Sequence, residues 1–149
     1  MQKFTKLIIV FILIISSLNI SKADYFENLL NLETWLQEIK YSFVELKNSH
    51  LKDYKSNKMF LQLNTVNPKI QKAILKQYKS GRFGYYQTLW LVEHYNNFIY
   101  YSNKYFSSLK NKEIYWNSKE VKQNIYNNFS KMKNFYYQFA NLAKQKNMN

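Results

Sequence analysis

NSKEVKQNIYNNFSKMKNFYYQFANLAK, residues 117–144, decides the fold class. Its apolar residues Val121, Ile125, Phe129, Met132, Phe135, Phe139 and Leu142 follow one another at steps of four, four, three, three, four and three. That spacing gathers side chains on one face of an α-helix and scatters them over both faces of a strand. Asn117 and Glu120 stand at the separation of a capping box, in which a short polar side chain and a carboxylate three residues on satisfy the first unpaired N–H groups.

Working back from this element, Tyr85 to about Leu109 repeats the helical period. Leu89, Val92, Ile99 and Phe106 fall on one line, and Leu91, Tyr95, Phe98, Tyr105 and Leu109 lie beside it, so a wide aromatic helix face is expected. Lys110 to Trp116 reads as a connector, and Ser102-Asn103 as a place where the helix could break. Gly81-Arg82-Phe83-Gly84 holds both glycines of the chain, and is the turn where a positive φ is cheap. Before it, Asn67 fits an N-cap, Pro68 a first helical position and Gly81 a left-handed terminus, which predicts a helix over Pro68 to Ser80. Leu51 to Leu63 reads as a short helix or irregular segment, although Phe60, Gln62 and Asn64 alternate with Leu61 and Leu63 as in a brief strand; helix is the preferred reading. Phe26, Leu29, Leu32, Leu36, Ile39, Phe43 and Leu46 predict a first helix from Asp24 to about Asn48, with Asp24 and Glu27 as its capping pair. The expected fold is all-α, a helical bundle of about four main helices in one domain spanning residues 24–149.

Residues 1–23, MQKFTKLIIVFILIISSLNISKA, read as a signal peptide. Lys3 and Lys6 form a positive start, Leu7 to Ile15 is unbroken apolar sequence, and Ser21 and Ala23 are the small residues a signal peptidase needs, which places cleavage between Ala23 and Asp24. The rival reading is a retained anchor, but spanning a bilayer takes about 20 predominantly apolar residues, and Ser16, Ser17 and Asn19 interrupt this run. The implied address is the periplasm or the extracellular medium of a bacterium. With no Cys in the chain, a lipid-modified cysteine and a disulfide framework are both excluded.

Stability then has to come from apolar burial. A chain that is 46% hydrophobic and 19% aromatic can supply it, which argues against disorder. Without Lys3, Lys6 and Lys22 the chain keeps 19 basic and 9 acidic residues, a formal +10, so this basic protein is drawn to anionic surfaces or acidic partners. Arg82 is its only arginine. Base edges and phosphates are read best by the planar guanidinium fork, so nucleic acid is a poor candidate partner. An A+T-rich genome would favour the same Lys, Asn, Ile, Tyr and Phe, and is the alternative to selection for a partner as the source of part of the charge. Residues 24–53 hold 3 basic and 6 acidic residues, whereas residues 54–149 hold 16 and 3. Either the first helix docks on the basic remainder or a basic surface is left for a partner.

Catalytic and metal signatures are missing from the sequence. His50 and His94 are the only histidines; with Asp53 they do not make a ligand set. There is no G-x-S-x-G, no Gly-rich phosphate loop and no cofactor motif. Glu38, Glu45 and Glu93 are the carboxylates from which a cell-wall hydrolase would draw an acid–base pair. The Asn128-Phe129-Ser130 sequon falls inside a helix and reads as fortuitous.

The candidate binding residues are Lys69, Lys72, Lys76 and Lys79, aligned on one side of the 68–80 helix, with Arg82, Tyr85, Tyr86 and Trp90 after it. Tyr95, Tyr100, Tyr101 and Tyr105 extend an aromatic series too large for one buried face. The expectation is an exported, non-enzymatic helical protein that binds a protein partner or an anionic envelope surface, as part of an envelope or secretion assembly, with self-association as a further possibility. A cationic effector at the membrane surface and a small cell-wall hydrolase are the alternatives.

Overall fold

A computed structural model describes residues 22–48, 53–114 and 118–145. Residues 1–21, on which the signal reading rests, lie outside this set, as do His50, Trp116 and Asn117. Among the described residues the structure is all helical: α1 is Lys22–Asn48, α2 Lys58–Lys79, α3 Tyr85–Ile114 and α4 Lys119–Lys144, with a 3₁₀ turn at Tyr54–Ser56 before α2.

Paired contacts fix the directions. Tyr95 meets Phe139, Tyr101 meets Phe135 and Tyr105 meets Phe129, so α3 and α4 run antiparallel as a long hairpin. Trp35 meets Phe139 while Phe43 meets Phe129, so α1 is antiparallel to α4 and parallel to α3, which it reaches at Tyr95 and Phe98. α2 starts beside Ser42 and Glu45 of α1 and returns to the Gly81 turn. The result is an up-down-up-down bundle whose helices share one hydrophobic core.

That core is aromatic. Trp35, Phe43, Tyr95, Phe98, Tyr105, Tyr136 and Phe139 are all buried. Many of their rings meet edge to face, as Trp35 does Phe98 and Phe43 does Tyr136, and such pairs contribute about 0.5–1.5 kcal/mol beyond the area they bury. Burial holds the phenols of Tyr95, Tyr105 and Tyr136 above the usual tyrosine range, because the phenolate would lose its solvation.

Several sequence expectations are corrected by this fold. α2 does not begin at Pro68 after an Asn67 cap: it begins ten residues earlier, after Asn57, and Pro68 lies inside it. Pro68 has no N–H to give the carbonyl four residues back, a cost the helix bears because its start is anchored elsewhere. The Oδ1 of Asn57 accepts from the Met59 N–H at 3.0 Å. Its Nδ2 donates to the Ser42 carbonyl at 3.2 Å and to Glu45 Oε2 at 3.0 Å. One buried amide thus caps α2 and ties it to α1, and Lys58 adds an ion pair to Glu38.

Asp24 is not the first residue of α1, whose helical backbone already includes Lys22. The α4 cap is Ser118 in place of Asn117, its hydroxyl accepting from the Val121 N–H at 3.3 Å. No break occurs at Ser102, whose hydroxyl turns back to the Phe98 carbonyl at 2.7 Å, and the proposed connector from Lys110 is helical to Ile114.

The buried lines are also rotated from those read in sequence. In α3 the core is Leu91, Tyr95, Phe98, Ser102, Tyr105 and Leu109 with Phe106, while Leu89, Val92 and Ile99 flank it. In α4 it is Ile125, Met132, Tyr136, Phe139, Ala140 and Ala143, while Val121, Phe129, Phe135 and Leu142 are half-buried. The Gly81 terminus is as expected: φ is +75°, the Arg82 N–H reaches the Gln77 carbonyl at 2.9 Å, and the Gly81 N–H reaches Tyr78 at 3.0 Å. This pair of bonds is the Schellman motif, and it fixes where Arg82 leaves the helix.

Candidate functional site

The sequence-derived binding residues separate into three places. Lys69, Lys72 and Lys79 are exposed on α2, but Lys76 is turned inward with only 5% of its surface reached by solvent. The four-lysine stripe is therefore a three-lysine flank. The reason is rotational: the buried side of α2 includes Ala73, Ile74, Leu75 and Gln77, a wider arc than Ile70, Ile74 and Tyr78 alone would define, and Lys76 falls within it.

Tyr85, Tyr86 and Trp90 do come together. They are exposed at the start of α3, with ring centroids 5.4 Å apart for Tyr85–Tyr86 and 6.4 Å for Tyr86–Trp90. The series continues along the helix. Tyr86, Trp90, Glu93, Asn97, Tyr100 and Lys104 alternate steps of four and three, and all but the half-buried Asn97 are exposed. They form a single outward seam that runs for about 27 Å at 1.5 Å per residue. Lys104 sits 4.8 Å from the Tyr100 ring centroid, and its hydrogen bond with the Tyr100 side chain holds the ammonium above the ordinary lysine range. Beside this seam Tyr101 stacks on Phe135 at 5.5 Å, and the Lys131 ammonium lies over the Tyr101 ring, 5.1 Å from its centroid.

Arg82 belongs to neither group. It lines a cleft of about 540 Å³ between α1, the turn after α2 and the end of α4. The floor is Leu32, Leu36, Phe83, Tyr136, Ala140 and Ala143, all buried. On the rim stand Glu33, Lys40 and Lys144 with Arg82. Sequence reading missed this site. Its signal was the pair Ala140 and Ala143, small residues on a helix whose inward face is otherwise Ile125, Met132, Tyr136 and Phe139.

The carboxylates considered for hydrolysis are structurally engaged: Glu38 with Lys58 and Glu45 with Asn57, while Glu93 is exposed on the α3 seam. Asn128 of the sequon donates to the Ser108 hydroxyl at 3.0 Å and links α4 to α3. Among the described residues, no group of three or more His, Cys, Asp and Glu side chains could hold a metal ion, and no helix is long and apolar enough to cross a membrane.

Comparison with known proteins returned no matching family model, no matching curated protein and no matching solved structure.

Proposed function

We propose that this is an exported, non-enzymatic helical protein that works by binding another protein through the outer seam of α3. The observation that carries the reading is the seam itself. Tyr86, Trp90 and Tyr100 are 61%, 42% and 52% exposed at heptad spacing, where burial against a partner helix would recover their apolar area. Tyr and Trp are the residues that anchor protein interfaces, since each brings a large rigid surface with few rotatable bonds. The excess of basic residues after α1 favours an acidic partner. Export is supported by residues 1–23 alone.

The test places a photoreactive side chain at position 86 of the full chain and, as a control, at Tyr126, which is equally exposed on α4. Fractionation of the same cells follows. The expected result is soluble protein beginning at Asp24 in periplasm or medium, with one discrete adduct from position 86 that disappears on Trp90→Ala/Tyr100→Ala replacement. Equal labelling from both positions, or adducts indifferent to the replacement, would refute the seam as the interface. An adduct with a second copy of the chain would make self-association its role.

A further inference from the structure

The cleft beside Arg82 is independent of the α3 seam, and it has the features of a site for a small molecule. We propose that it binds a single-chain organic acid, with the alkyl chain on the alanine floor and the carboxylate at the Lys40–Arg82–Lys144 rim.

Four observations point to this class of ligand. The volume, about 540 Å³, lies within the roughly 300–1,000 Å³ of small-molecule pockets. The floor offers apolar surface with its polar edge already satisfied, because the Tyr136 hydroxyl donates to the Leu36 carbonyl. At the rim three cations face one acid, Glu33, and one of the three is the chain's only guanidinium, which can hold a carboxylate through two parallel N–H bonds. The backbone that carries this side chain is held in the turn, since the Arg82 backbone N–H donates to the Gln77 carbonyl.

The negative end of the α4 dipole would oppose an anion here. It is countered. Gln87 Nε2 donates to the carbonyls of Leu142 at 2.7 Å and Gln145 at 3.0 Å, so two of the terminal acceptors are already occupied. The cleft exists because Ala140 and Ala143 leave room against α1, and a larger side chain at either position would occupy the place of the alkyl chain.

The experiment is calorimetric titration of the full chain, expressed and purified as the cell leaves it, with dodecanoate, dodecanol and dodecylammonium below their micellar concentrations. A second series uses carboxylates of increasing length. Dodecanoate is expected to bind at one site and at least tenfold more tightly than dodecylammonium, with affinity rising about fourfold per methylene until the cleft is filled. Ala140→Phe should abolish binding. Lys40→Gln/Lys144→Gln, two exposed changes that leave the core intact, should weaken dodecanoate at least tenfold and dodecanol little. No binding of dodecanoate, equal affinity for the carboxylate and the ammonium, or indifference to the lysine changes would overturn the proposal.

Discussion

The two ends of the bundle contain the same helices packed to different outcomes. At the end where α1 passes into α2, Phe43 touches Phe98, Phe129, Tyr136 and Tyr137, and Tyr54, Phe60 and Phe106 close the corner. At the other end α4 presents Ala140 and Ala143 to α1, and a cleft opens. Backbone architecture is shared; where the cleft opens, α4 turns two alanines inward beside the turn that carries Arg82 and Phe83. The comparison teaches that here a cavity is made by local deletion of bulk, while the rest of the aromatic core supplies the stability that tolerates it.

The largest effect that could break this contrast is Phe43→Ala. It removes a ring that is 3% exposed from the sealed end and is expected to cost about 3–5 kcal/mol, measurable as a lowered midpoint in denaturant unfolding. A loss below 1 kcal/mol would mean the sealed end is not sealed.

Alkaline pH strains the aromatic core next. Tyr95, Tyr105 and Tyr136 have phenols raised by burial, so the folded state keeps protons that the unfolded chain releases above about pH 10. Their contribution is fully present below that pH and is lost as pH rises past it, by up to about 1.4 kcal/mol per pH unit for each phenol. Ultraviolet titration should show these three ionising together with unfolding, after the exposed tyrosines.

Replacing Asn57 by Ala removes the α2 cap and both bonds to α1. A loss of about 2–3 kcal/mol is expected from a cap and two partly buried hydrogen bonds, again read by denaturant unfolding. The smallest effect sharpens the comparison from the other side. Ala143→Leu adds bulk where the cleft can accept it, so stability should stay within about 1 kcal/mol of the parent, whereas overpacking a filled core typically costs about 1–3 kcal/mol.

Much of the fold was legible in sequence because it rests on local signals. The apolar steps of α1, α3 and α4 declared helices, and Gly81 declared a terminus that the structure closes with a Schellman motif. What was not legible is tertiary. Asn67-Pro68 looks like a helix start, and only the partners of Asn57, fifteen and twelve residues away, show why the helix starts earlier. Lys76 looks exposed until the width of the buried arc on α2 is known. The aromatic series after Gly84 is too long for one buried face, and it divides accordingly: Tyr95 and Tyr105 are buried while Tyr86, Trp90 and Tyr100 are exposed. The cleft could not be read at all, since an alanine pair on a helix signals space only when the facing helix is known.

The difference between the two ends is tested most directly by residue-resolved nuclear magnetic resonance of the chain as dodecanoate is added. The expected perturbations fall on Leu36, Phe83, Ala140 and Ala143 and leave Ile125, Phe129 and Tyr105 unmoved. Shifts centred on the sealed end, or spread evenly over the exposed lysines, would contradict both the cleft as a site and the reading that lost side-chain volume created it.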